Sequence, residues 1–380
     1  MKHPVMRSFE ESCIDAQLAL HAAGVADADA RILGFYPQVQ RNPFQDMLYT
    51  AGLDQGFACF PVRSQDEVVQ TFDDTPLYVH YHWVHRAFDG AEDRSEASNA
   101  AKQFLATIDA QKEAGIQTIW TVHNLISHES RFPEEEIELR AGLSARADHV
   151  HIMNPATREV CAQYYPIESK KVFMVPHPSY RGVYGDFMSR RQARFKLGIS
   201  PSEKVLLLFG SMGPQKGTNQ LLDELSAIEA AVGERLRVFI TGAPAHAAYM
   251  EEVYERVAKN PMVTLLDSHI DDQLVPILFR AVDVAVCPYD VGLNSGVAAT
   301  AATFGCPSVV PDILVPAMSG AEAGVIGFNP KDRSSIGQAV MRALEAGDNA
   351  TTPSALAKWA EVNQPHVISQ AFFRALRDRS

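Results

Sequence analysis

Short apolar runs recur along this chain, each followed by a polar loop and then by residues with helical spacing. In the first half the runs are "ARILGFYP", "GFACFPV", "PLYVHYHW", "GIQTIWTVHN", "DHVHIMN" and "KKVFMVPHP". In the second half they are "KVLLLFGS", "LRVFITGA", "PMVTLLDS", "VDVAVCPY", "PSVVPDI" and "GVIGFNP". Helices are expected in the acidic lead-in within residues 1–29, after "QRNP", from about Ala97 to Ala114, and over "PEEEIELRAGLSARA". Asn42 is placed to cap the second of these, and Pro43 suits a first helical turn. Strands alternating with helices imply a parallel sheet covered on both faces. The rhythm occurs twice. The predicted fold is therefore α/β, with two Rossmann-like, doubly wound parallel-sheet domains facing across a cleft. The predicted divisions are an N-terminal domain over 1–180, a C-terminal domain over 181–365, and a last helix over 366–380 that crosses back to the first domain.

Bulk properties agree with this division. A chain of 380 residues is too long for one ordinary core. The formal net charge of −12 excludes a generic nucleic-acid binder, though not a local basic patch. Five widely spaced cysteines without a CxxC pair argue against a disulfide framework or a zinc site and for a reducing compartment. "MKHPVMRSFEESC" carries no signal-type apolar stretch, and no run approaches the length of a membrane helix. The expected location is cytoplasmic, with any membrane contact at the surface.

In a doubly wound sheet the ligand sits at the carboxyl ends of the strands, where strand order reverses. The first and fourth strands of the second half end in "FGSMGPQKGTNQLL" and "CPYDVGLNSGVAA". Gly210, Gly213 and Gly217 are read as letting backbone approach a ligand, and Lys216 as adding charge. Asn294, Ser295 and Gly296 open a helix of small residues, whose unpaired amides suit a phosphate. There is no Walker A loop and no GxGxxG, which weakens a nicotinamide-oxidoreductase reading.

The first half concentrates polar chemistry after two strands. "VHYHWVHRAFD" supplies His80, His82, His85 and Asp89, and "WTVHNLISHESR" supplies His123, His128, Glu129 and Arg131. His80 and His82 alternate with Tyr81 and so share one face. The plain reading is a polar cleft lining. The sharper one makes Glu129 or Asp89 a general base, with His123 contacting the donor phosphate or the acceptor. A metal site is disfavoured, because no HExxH appears.

Together, "NPFQDMLYTAG", "VHYHW", "TVHNLISHE", "LLFGSMGPQKGTNQLL" and "CPYDVGLNSG…FGCPSVVPD" resemble the GT-B glycosyltransferases. Within them the resemblance is to bacterial exopolysaccharide enzymes, including the β-mannosyltransferases of the xanthan pathway. It implies transfer of a sugar from a GDP- or UDP-sugar to a saccharide acceptor, often polyprenyl-diphosphate-linked, with no cofactor and no metal. It places Lys216, Asn294, Ser295 and Gly296 on the donor diphosphate, with Tyr289 near the nucleotide or sugar. It turns the loop from His123 to Glu129, with His128, toward the acceptor; His82 and Arg131 join that side. Two departures stand out. Ser211 occupies a donor-loop position where many retaining members have Arg or Lys, and Gly292 and Thr300 stand where those members carry two glutamates. An inverting enzyme is the expectation. The alternatives are a sugar-nucleotide epimerase of the same fold and a non-catalytic sugar-nucleotide-binding subunit. The basic "RRQARFK" reads either as a contact for an anionic membrane or as a solvated helix face.

Overall fold

Each predicted apolar run forms a strand. The computed structural model describes residues 7–379 except 70, 71, 73, 128, 129, 234 and 333. It divides into two units, one of Met1–Pro176 with Pro365–Ser380, the other His177–Gln364. His177 to Tyr180 thus belong to the second unit, four residues ahead of the division expected from the sequence.

The first unit holds strands β1 (Arg31–Tyr36), β2 (Phe57–Pro61), β3 (Leu77–Tyr81), β4 (Gln117–Thr121), β5 (His149–Ile152) and β6 (Val172–Met174). They form one parallel sheet in the order β2-β1-β3-β4-β5-β6. Strand order therefore reverses at β1 and β3, whose carboxyl ends flank the switch point. Its helices are α1 (Phe9–Ala22), α2 (Phe44–Tyr49), α3 (Arg94–Glu113), α4 (Pro133–Arg146) and α5 (Thr157–Cys161). The start of α2 follows the sequence logic, since Asn42 Oδ1 accepts the Phe44 amide at 3.0 Å. Helix α3 begins three residues before the expected Ala97, because the Asp93 side chain caps the Glu96 amide.

The second unit holds β7 (Lys204–Phe209), β8 (Leu236–Thr241), β9 (Val263–Leu266), β10 (Val284–Val286), β11 (Ser308–Pro311) and β12 (Val325–Phe328). Its order is β12-β11-β10-β7-β8-β9, so the first and fourth strands of this unit are neighbours. Its helices are α6 (Arg190–Lys196), α7 (Thr218–Val232), α8 (Ala247–Ala258), α9 (Val275–Ala281), α10 (Gly296–Thr303), α11 (Ser334–Asp348) and α12 (Thr351–Val362). Side chains alternate across a strand. Leu206 and Leu208 therefore enter one core, with Leu221 and Ile336, while Val205 and Leu207 enter another, with Phe279 and Phe304. A sheet buried on both faces needs strands that are apolar throughout, which is why "KVLLLF" carries no polar alternation.

Helix α13 (Pro365–Arg377) packs on α2 in the first unit. Ile368, Phe372, Phe373 and Leu376, at helical spacing, join the core formed by Leu33, Phe44, Phe57 and Tyr78. Each large side chain buried this way contributes about 1.5–3 kcal/mol. Among the described residues no helix is long and apolar enough to cross a membrane.

Candidate functional site

In the second unit the loops after β7 and β10 meet. Gly217 has a left-handed backbone (φ 71°), and a Cβ there would stand 1.8 Å from the carbonyl oxygen of Pro288. This glycine lets one loop close on the other. The sequence assigned it to ligand approach; the structure adds this loop-to-loop contact as a reason for glycine here. Gly210 has φ 115° and open space around its missing Cβ.

Beside that contact, Lys216 places its Nζ 4.6 Å from the centre of the Tyr289 ring. The ring is buried, the Tyr289 amide donates to the Cys287 carbonyl at 2.8 Å, and Cys287 Sγ lies 3.8 Å from Ser295 Oγ. Burial holds the Tyr289 phenol well above its ordinary range, so it stays neutral. Ser295 caps α10, its Oγ accepting the Ala298 amide at 3.2 Å. Lysine, tyrosine and the helix N-terminus are thereby joined in one contiguous set. Positive charge on Lys216 and the partial positive end of α10 lie on the same side of the sheet.

Small residues make this possible. Ala298, Ala299, Ala301 and Ala302 are buried, which seats α10 close against the sheet and α12. Thr300 turns its hydroxyl back to the Gly296 carbonyl at 2.7 Å. Ser211 is exposed at the tip of the β7 loop. Asn294 is half-buried immediately before the cap.

Two residues escaped the sequence reading. A Cβ on Gly296 would lie 2.7 Å from the Tyr180 hydroxyl and 3.9 Å from His177 Nε2. Both groups therefore face the first turn of α10. His177 Nδ1 donates to the Pro178 carbonyl at 2.7 Å, which leaves Nε2 as the lone-pair nitrogen of the neutral ring. Burial pushes this imidazole down to about 4, so it is uncharged at neutral pH. "HPSY" had no signal beyond its place in a presumed linker.

In the first unit the histidines are not a solvent-lined wall. Tyr49 Oη bonds His80 Nδ1 at 2.8 Å and His82 Nε2 at 2.7 Å. His82 Nδ1 meets His123 Nε2 at 2.9 Å. His80 and His82 have no exposed surface, and burial drives both imidazoles well below their ordinary range. His82 is thus corrected from acceptor contact to support, since both its ring nitrogens are engaged inside the protein. His123 lies at the outer end of this set, stacked on Trp83 with centroids 4.3 Å apart.

The remaining predicted residues are dispersed. Asp89 bonds Arg86 Nε at 2.9 Å and lines a cavity of about 550 Å³ with Tyr36, Arg63 and Arg86. His82 and His123 are not among the walls of that cavity. Arg131 donates to the Ala91 and Glu92 carbonyls at 3.2 Å, tying its loop to the start of α3. His128 and Glu129 lie outside the described residues. The loop leading to them is anchored by a buried pair in α4. Glu136 Oε1 accepts the Ser127 amide at 2.7 Å and Arg140 Nη2 at 2.7 Å, while Arg140 Nη1 donates to the Asn124 carbonyl at 2.9 Å.

The basic stretch is also partly structural. Arg190 and Arg194 both pair with Asp283, and Arg194 is buried against the Ala281, Ser200 and Glu203 carbonyls. Arg191, Lys196, Phe187 and Phe195 are exposed.

Comparison with known proteins agrees with this anatomy. Residues 203–346 match the family described as Glycosyl transferases group 1. A D-inositol 3-phosphate glycosyltransferase of Segniliparus rotundus is 27% identical over 203 residues, 52% of this chain and 44% of that protein. A lipid-A-disaccharide synthase of Prochlorococcus marinus is 28% identical over 151 residues, 39% of this chain and 37% of that protein. The chain spans less than half the length of the curated relatives it matches. Anabaena HepE, solved with UDP and glucose, superposes with a TM-score of 0.64 at 16% identity, over 97% of this chain and 95% of its own. A sucrose-phosphate synthase from Thermosynechococcus elongatus gives 0.67 at 14% identity, over 92% and 98%. The chain has the two-sheet fold of the GT-B glycosyltransferases, and its second unit carries the group 1 glycosyltransferase match.

Proposed function

We propose that this protein is a nucleotide-sugar-dependent hexosyltransferase. The observation that carries the reading is the set of Lys216, Tyr289 and the capped N-terminus of α10 at the β7–β10 switch point. A nucleoside diphosphate gains negative charge as the bond to the sugar anomeric carbon breaks. A fixed cation and unpaired helix amides stabilise that charge without reorganising. An acceptor hydroxyl attacks the anomeric carbon; its proton passes to a base, and the electron pair of the breaking bond leaves on the diphosphate. His123, at the outer end of the buried histidine set, is the described residue suited to take that proton. Such a base contributes about 100- to 10,000-fold.

The finer assignments extend this reading. UDP-sugars are the favoured donors, since HepE has been solved with UDP and with UDP-glucose. Inversion is favoured because Gly292 and Thr300 supply no carboxylate beside the donor, and the Thr300 hydroxyl is turned into its own helix. A lipid-linked saccharide, in exopolysaccharide assembly, is the proposed acceptor. The exposed Phe187, Arg191, Phe195 and Lys196 support a peripheral contact with an anionic surface.

The test is a thermal-shift screen of the purified chain against UDP- and GDP-sugars, followed by release of the nucleoside diphosphate with and without saccharide acceptors. A stabilising donor with acceptor-dependent release is expected. No response to any sugar nucleotide would overturn the transferase. An epimerised product from donor alone would replace it with the epimerase, and binding without turnover with the non-catalytic subunit.

A further inference from the structure

Behind His123 runs a longer chain of buried hydrogen bonds than the mechanism above uses. It continues from His80 Nε2 to Thr121 Oγ1 at 2.6 Å, from Thr121 Oγ1 to His151 Nδ1 at 3.0 Å, and from His151 Nε2 to the Val175 carbonyl at 2.9 Å. The members come from α2, β3, β4 and β5 and from the segments just after β3, β4 and β6. The last two, Thr121 and His151, are buried like His80 and His82.

The direction of every bond follows from its last acceptor. A carbonyl oxygen only accepts, so His151 Nε2 carries hydrogen and, in the neutral ring, Nδ1 is a lone pair. Thr121 must then donate to Nδ1. Its single hydrogen is committed, so its oxygen accepts from His80 Nε2. His80 Nδ1 is therefore a lone pair and takes the Tyr49 hydrogen. Tyr49 in turn accepts from His82 Nε2, and His82 Nδ1 accepts from His123 Nε2. Each step leaves one arrangement for neutral groups; burial holds the His80 and His82 imidazoles well below and the Tyr49 phenol well above their ordinary ranges.

We infer that Tyr49, His80, His82, Thr121 and His151 are positioning residues that fix the tautomer of His123. They hold hydrogen on its Nε2 and the lone pair on Nδ1. This deepens the reading of His123 as the base and rests on that reading for its catalytic consequence. A base whose basic nitrogen is set in advance has only one productive orientation toward an acceptor hydroxyl, and a ring free to exchange tautomers would lose part of its population. Phe372 of α13, stacked on His80 with centroids 5.3 Å apart, encloses the chain at its centre.

Ring nitrogen NMR on the full-length protein, labelled at histidine, reads the tautomer without substrate. His123 is expected to show a protonated Nε2 and an unprotonated Nδ1. Tyr49→Phe removes the acceptor of His82 Nε2 and should release the preference, taking a ratio of about fivefold or more toward about one. In the same variant kcat should fall about twofold, as the productive tautomer drops to about half of the population, with the donor KM unchanged. Thr121→Val, which keeps the side-chain shape, should act in the same direction and serves where Tyr49→Phe does not fold. Ile368→Ala, in the same core but outside the chain, should lower stability and leave the tautomer unchanged. Protonated Nδ1 in the wild type, or an unchanged ratio in folded Tyr49→Phe and Thr121→Val, would overturn the inference. Absence of any transferase activity would remove the base role and leave the tautomer measurement decisive for the chain.

Discussion

Lysine 216 offers the most direct test of the donor site. Its Nζ lies 4.6 Å from the Tyr289 ring centre, and Lys216→Ala removes both that contact and the charge offered to a pyrophosphate. The first loss lowers the stability of the free protein by about 1 kcal/mol. The second removes a charge-assisted hydrogen bond of about 2 kcal/mol, which raises the donor Kd about 30-fold. At a donor concentration about 100 times the wild-type Kd, binding adds about 2.7 kcal/mol to the wild type and about 0.9 kcal/mol to the variant. For a unit of this size the melting shifts are then about 5–10 °C and about 2–3 °C. Differential scanning fluorimetry with titrated sugar nucleotide reads both. A variant that keeps the full wild-type shift would show that Lys216 does not face the diphosphate, and the electrostatic account of this site would fail.

Other outcomes follow from the same geometry. Gly217→Ala places a Cβ 1.8 Å from the Pro288 carbonyl at a left-handed position, and urea denaturation should show a loss of about 3 kcal/mol or more, with donor binding weakened as the two loops separate. Glu136→Gln leaves the buried Arg140 without its countercharge, for a loss of about 3–5 kcal/mol in the same assay. His177 is neutral when folded, with its imidazole held down to about 4, and takes up a proton on unfolding below about 6.5. Stability should be flat above about pH 6.5 and fall by up to about 3 kcal/mol as pH drops to about 4. His80 and His82 act in the same sense, and His177→Gln should reduce the slope of the urea midpoint against pH.

The hydrophobic pattern determined much of this protein. Every strand was legible, because a sheet covered on both faces requires short runs without polar interruption, as in "KVLLLF". The closing helix was legible from the spacing of Ile368, Phe372, Phe373 and Leu376. The cap at Ser295 and the small residues of α10 were local features, and local chemistry is written in consecutive residues. Tertiary structure alone decided the rest. Alternation placed His80 and His82 on one face and could not say that the face was sealed by Phe372, which lies 290 residues beyond His82. Tyr49, Thr121 and His151 became partners of those histidines only when separate segments came together, since side-chain hydrogen bonds depend on distance and carry no sequence period. The closeness of Gly217 to the Pro288 carbonyl could not be read from sequence, and His177 and Tyr180 looked like linker until the first turn of α10 was seen against them. Periodicity records which surfaces are buried; what each buried polar group meets is settled by the packing of elements far apart in the chain.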